Sequence, residues 1–444
     1  MIEILLSLMI GGMAPDAPVP PTNRWIENDS AEAIRGRTAR DFSLPYEQGA
    51  KQIMEEHPEL SRKSIDSLVR CHRIEAMEID GEKRMFRKAQ RNLNLLDPRY
   101  NNGWSNRGSK ASERRMAFAD SVVQWSRGAM ADGGAHRVKY KFTIDVPYLP
   151  ELKDDTLRVW MPFPRETERQ KDIKLISAYP AEYVLSAPEQ SVHSTLYMEK
   201  PVEEGETAHF EYVVEFTGMG KYVEPEYIMS HIQPYDRGSE LYQKYTAMES
   251  PHIVRMDSLA KAIVGDESNP YRQSELVYDY IVGTYPWAGA REYSTIPCIP
   301  EYVVETGHGD CGQVALLYIS LMRTLGVPAR WESGWMLHPG EKNLHDWAEV
   351  YFEGVGWVPI DASFGRYAAS ADPSIRNFYS TGIDSHRLIC NQGIGDEFFP
   401  KKRYIRSETV DSQMGEVECS QGNLFYPLWD QHLEILSQSP IDTQ

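Results

Sequence analysis

Three residue types that can share one nucleophilic reaction stand close together in the chain. Cys311 lies in "GHGDCGQVALLYISLMRTLGVPAR", and the following "HDWAEVYFEGVGWVPID" opens on His345 and closes on Asp361. A thiol nucleophile needs a base within reach and a third group that holds the base in one tautomer and orientation. Asp310 is a natural N-cap, and Val314, Leu317, Tyr318, Leu321, Met322 and Leu325 mark one face of a helix that Gly326 and Pro328 stop. Cys311 then occupies the first turn, where unpaired N–H groups and the helix dipole favour a thiolate. Gly307, Gly309 and Gly312 leave room around the sulfur for a substrate carbonyl. The other reading of the same residue is a small buried apolar side chain at a helix start.

The second segment reads as a β-hairpin. Trp347, Glu349 and Tyr351 share one side with His345, while Ala348, Val350 and Phe352 share the other, and a Gly-bracketed turn leads into "WVPID". Residues 345 and 361 share a face only if opposed positions sum to an even number. A two-residue turn at Gly354 and Val355 turns Asp361 away, whereas a five-residue turn over 352–356, the better fit, sets it across from Trp347 and diagonal to His345, and a three-residue turn sets it across from Glu349, on the right face but farther away. An odd or bulged turn is therefore expected.

The order of these segments, with "ARWESGW" between them, resembles the transglutaminase-like superfamily over roughly residues 300–365, and more loosely back to about 240. The resemblance implies a papain-like α+β core with Cys311 as nucleophile, His345 as general base and acid, and Asp361 orienting the imidazole. It implies attack on an amide carbonyl, loss of the amine and an acyl-enzyme, with water or a second amine as acceptor. Hydrolysis as a cysteine peptidase or amidase is the first expectation. Glutamine-to-lysine cross-linking and a catalytically inactive binding or adhesion module are the alternatives. The C-x-x-C pairs of the glycanase branch are absent from the sequence. An upstream indole N–H serves as an oxyanion donor in some members, which makes Trp287 in "YPWAG" a candidate, against an ordinary cleft-wall aromatic.

Other candidates read as structural. His308 precedes Cys311 by three residues, but His-x-x-Cys has too few ligands for zinc, and His386 in "HRLIC" shares that weakness. Asp346 points away from His345 and reads as solvated, as does Glu349. Trp331, Trp335, Trp347 and Trp357 could line a groove for peptide or sugar. No metal or cofactor is expected.

These residues need scaffolding, and the chain is long enough to supply it. Its 444 residues are 41% hydrophobic, which suits two or three domains. Sixty-five acidic against 47 basic side chains give a formal charge of −18, so nucleic acid is a poor partner; a protein, peptide or glycopeptide substrate is expected. Five widely spaced cysteines argue against a disulfide scaffold. "MIEILLSLMIGGMAPDAPVPP" resembles a secretory signal lacking its positive start, so residues 1–25 are read as a possible signal and Pro-rich linker, with a periplasmic or extracellular destination. No later stretch approaches the ~18 apolar residues of a membrane span. Period-3.6 patterning makes 26–134 a helical region, with "DG" at Asp80 separating two helical runs. Period-2 alternation from Val138 to Val146, Leu157 to Phe163 and Phe210 to Phe216 makes 135–225 an antiparallel β-sandwich. Residues 240–370 form the catalytic core, and 371–444 are expected to pack back on it.

Overall fold

The computed structural model describes residues 25–96, 110–129, 134–248, 250–366 and 370–441, so the signal-like segment lies almost wholly outside the described residues. The architecture is α+β. Near the N-terminus, helices α1 (Ser30–Asp41), α2 (Tyr46–Glu56), α3 (Arg62–Arg70) and α4 (Ala89–Leu96) pack around Phe42, Tyr46, Ile53, Ile65, Phe86 and Leu93. The region is not purely helical. Ala76–Ile79 and Glu82–Met85 form a hairpin closed by Asp80 and Gly81 at φ 52° and 79°, with Leu44–Pro45 as a third strand. Asp-Gly is the two-residue hairpin signature, and the expectation of a turn between helices overlooked it. Helix α5 (Lys110–Ser126) follows.

The alternating runs form a sandwich. Strands β1 (Ala135–Val146), β2 (Thr156–Pro162), β3 (Gln170–Tyr179), β4 (Thr195–Pro201) and β5 (Ala208–Met219) contribute inward side chains. β5 lies antiparallel between β1 and β3, with Phe142 across from Tyr212 and Ile144 across from Phe210. Alternate burial along these strands is why period 2 was legible.

The catalytic segment contains helices α6 (Pro270–Thr284), α7 (Ile299–Thr306) and α8 (Cys311–Thr324). Its sheet is built from β6 (Ala329–His338), β7 (Glu341–Phe352), β8 (Gly356–Ile360) and β9 (Arg387–Asn391), in the order β8-β7-β6-β9. α8 buries every residue from Gly312 to Met322, because helices lie on one side and the β6–β7 face bearing Trp331, Ala348 and Val350 on the other. Gly326, at φ 77°, ends it.

The C-terminal part corrects the expectation of simple packing on this core. Only β9 joins the core sheet. Glu416–Glu418 and Asn423–Leu424 complete one sandwich sheet, and β10 (Asp430–Pro440) pairs along β1 to complete the other. These strands cover what would otherwise be the edges at β1 and β2, and pass the open edges outward to β10 and Ile26–Glu27. Residues 403–410, strand-like in composition, are irregular.

Candidate active site

Cys311 begins α8. Asp310 Oδ1 accepts from the Gln313 N–H at 3.1 Å, and Gln313 Oε1 accepts from the Asp310 N–H at 3.1 Å, a reciprocal cap that fixes the start of the helix. The Tyr293 hydroxyl donates to Asp310 at 2.5 Å. Upstream, the Ala288 N–H donates to the Gly309 carbonyl at 3.2 Å and the Gly309 N–H to the Pro286 carbonyl at 3.3 Å. This pairing sets half-buried Trp287 beside the loop that carries the nucleophile.

The glycines around Cys311 do not hold space open for a ligand. Gly307 adopts φ 72° to cap α7. At Gly312 an added Cβ would lie 2.4 Å from the Tyr293 hydroxyl, 2.7 Å from Asp346 Oδ2 and 2.9 Å from the Trp331 ring, so protein already fills the space. Gly312→Ala is accordingly expected to cost ~1–3 kcal/mol, because the buried Trp331 ring cannot swing aside. A urea midpoint equal to that of the unmodified protein would rule this packing out.

The thiol has an unforeseen partner. Cys311 Sγ–H donates to Asp346 Oδ2 at 3.3 Å. Asp346 is buried, not solvated. Its Oδ1 accepts from Gln413 Nε2, which also donates to the His345 carbonyl at 3.0 Å. Burial first, then the charges of Asp346 and Asp310, push the Cys311 thiol well above its ordinary range. Asp346 is itself held well above the carboxylate range by burial, Asp411 and Asp310. The expected thiolate is therefore a protonated thiol in the resting site. Asp346 could have been found from the sequence, since it shares a strand parity with Ala348 and Val350 and so must face α8. Gln413 and Asp411 arrive from the irregular C-terminal segment and left no pattern.

His345 and Asp361 come together. β7 and β8 pair Ala348 with Ile360, Val350 with Val358 and Phe352 with Gly356, an even-sum register that carries Asp361 across from Trp347. Because Phe352 and Gly356 themselves pair, three residues rather than five form the turn, with the same register. The His345 Nε2–H donates to Asp361 Oδ2 at 2.8 Å. The imidazole stacks on Phe364 at 4.8 Å. Burial pushes Asp361 upward, but His345 and Arg387 outweigh it and hold the carboxyl below its usual range. Burial lowers His345, with Asp361 opposing and Arg387 and His338 reinforcing, so the imidazole is neutral at neutral pH.

Side chains 345 and 346 leave opposite faces of β7. The structure thus joins His345 to Asp361 and Cys311 to Asp346, and no hydrogen bond joins Cys311 to His345 among the described residues. Trp331, Trp335, Trp347 and Trp357 are at most 9% exposed and form walls rather than an open groove. Glu349 is likewise buried, in an ion pair with Arg330 at 2.5 Å. His308 is buried against the Thr306 carbonyl, and His386 packs on Phe118 and His136. Among the described residues, no three His, Cys, Asp or Glu side chains are grouped to hold a metal ion, the five cysteines form no disulfide, and no helix is long and apolar enough to cross a membrane.

A cysteine thus opens a buried helix, and the adjoining hairpin carries a hydrogen-bonded His–Asp pair. Residues 257–362 match the family model of the transglutaminase-like superfamily. The uncharacterized protein YebA of Bacillus subtilis is 28% identical over 151 residues, 29% of this chain and 20% of YebA. An uncharacterized protein of Haemophilus influenzae is 28% identical over 145 residues, 26% of this chain and 38% of its own. The chain thus spans well under two thirds of either relative. A candidate cysteine protease from Cytophaga hutchinsonii superposes with a TM-score of 0.46 at 17% identity, over 69% of this chain and 92% of that one. The periplasmic domain of TgpA from Pseudomonas aeruginosa gives a TM-score of 0.21 at 14% identity, over 56% of this chain and 91% of that one.

Proposed function

We propose that the chain is a thiol-dependent enzyme that cleaves a peptide or carboxamide bond through an acyl-enzyme on Cys311, and that it acts outside the cytoplasm. The observation that carries this reading is the buried His345–Asp361 pair, on a hairpin whose next residue, Asp346, touches the thiol. With Nε2 committed to Asp361, Nδ1 is the nitrogen left to exchange protons. In the reaction Cys311 leaves Asp346 and passes its proton to His345 Nδ1, and the sulfur bonds to the amide carbon. The carbon–nitrogen bond then breaks as His345 returns the proton to the departing amine. Water, deprotonated by the same imidazole, releases the acid and the free thiol. The Cys311 N–H at the start of α8 and the Trp287 indole are the candidate donors to the oxyanion.

A second reading has its own support. The protonated, carboxyl-bound thiol suits a binding module that has lost activity, and a second amine in place of water would make the enzyme a cross-linking transferase. Iodoacetamide labelling, resolved by residue with mass spectrometry, separates activity from inactivity. Cys71 is exposed and serves as the reference thiol. His345→Ala is expected to slow Cys311 alkylation at least about tenfold while leaving Cys71 unchanged. An unchanged Cys311:Cys71 ratio supports the binding module. Amine release against amine incorporation then distinguishes hydrolysis from transfer.

A further inference from the structure

Two donors, an imidazole N–H and a guanidinium, converge on one oxygen of Asp361. His345 Nε2 stands 2.8 Å from Oδ2 in a hydrogen bond, and Arg387 Nη1 stands 3.1 Å from the same atom as an ion pair. Oδ1 accepts from the Ser363 N–H at 3.2 Å. Arg387 opens β9 and is gripped from its other side by Asp384, whose Oδ2 accepts from Nη2 at 2.7 Å and from Nε at 3.1 Å. Asp384 is fixed in turn by the Tyr379 hydroxyl at 2.8 Å and the His386 N–H at 3.0 Å. The Arg387 side chain is 2% exposed and both carboxylates 0%.

Removing a guanidinium from water is unfavourable unless its charge is matched. Here one arginine lies between two carboxylates, Asp361 on the side of His345 and Asp384 on the side of His338, so a proton taken up by His345 when the thiol is deprotonated is met by the Asp361 carboxylate. The charges facing His345 are Asp361 from the end of β8, Arg387 from β9 and His338 from β6, whose Nε2 lies 3.1 Å from Asp384. Arg115 lies over the Phe364 ring that stacks on the imidazole. Across β7, Asp346 and Gln413 complete the surroundings.

We propose that Arg387, braced by Asp384, is a positioning residue for this site: it aims the Asp361 carboxylate at His345 and keeps the imidazole neutral until the thiol's proton arrives. The proposal rests on the catalytic reading of His345 above. The direction in which Arg387 shifts His345, downward and with burial, agrees with it.

The test is a pH titration of the full chain carrying ¹³Cε1-labelled histidine, read by NMR, with His345→Gln assigning the resonance. Arg387→Met is expected to move the His345 midpoint to higher pH, and Arg387→Lys to restore it toward the original. Asp384→Asn is expected to move it to lower pH, because the guanidinium then bears on the imidazole less compensated. If Arg387→Met does not fold, the downward shift in Asp384→Asn and the Lys variant carry the same test. An unchanged midpoint in a folded variant, or equal midpoints for Lys and Met, overturns the proposal. Failure of the catalytic reading looks different: Cys311 alkylation indifferent to His345→Ala while the Arg387 shifts persist.

Discussion

Asp361→Asn is expected to lower thiol-dependent amide cleavage by about 10⁴-fold, the scale of losing the carboxylate of a buried nucleophile–base–acid unit. The reason here is specific. All three groups around the Asp361 carboxylate, the Ser363 N–H, the His345 Nε2–H and the Arg387 guanidinium, present positive ends to it. An amide offers only one acceptor oxygen, so at least one donor would meet an NH₂ group. The imidazolium that forms when the thiol loses its proton would then face Arg387 without an intervening negative charge. The measurement is free-amine release from a peptide-amide mixture, alongside a thermal melt to establish folding. Activity within a few-fold of the unmodified protein would remove Asp361 from the mechanism.

Asp346→Asn should act in the opposite sense on the thiol. Its carboxyl is, after burial, the strongest influence holding Cys311 protonated, and it accepts the thiol hydrogen directly. Replacing the carboxyl with an amide that never ionises is expected to bring the pH onset of Cys311 alkylation downward and so to raise the rate at pH 7.5. Asn retains the size, so packing against Gly312 and Tyr293 is preserved, and its single acceptor oxygen can keep one of the two donors, the thiol or the Gln413 amide. If alkylation instead slows, Asp346 assists the thiol's ionisation rather than opposing it.

These two carboxylates mark what was legible in the sequence. The Cys311 helix, its Asp310 cap and the odd-length turn of the hairpin followed from local rules: a cap residue before an apolar face, and strand parity. Asp361 follows from the order of the Cys, His and Asp segments, and strand parity adds only the condition on the turn that lets it reach His345. Asp346 was misread because exposure was assigned from residue type, although the same parity places it against α8. Arg387 and Gln413 were invisible for another reason. They reach the site through tertiary approach of β9 and of an irregular segment, and a single arginine in "HRLIC" carries no periodic signal. The short strands at 416–418 and 423–424 were missed because two or three residues cannot display alternation.

The pairing of β10 with β1 has a consequence for how the chain reaches this state. Partners such as Phe142 and Leu433 are far apart in the sequence, with the whole transglutaminase-like segment between them. On the ribosome, α8 and its hairpin emerge while β1 still lacks that edge partner, so local helix and hairpin contacts can form first and the long-range strand pairing must close afterward. Until it closes, the newly made sandwich carries an unpaired strand, and the interval between synthesis of β5 and of β10 is the period in which the chain is most exposed to misassociation.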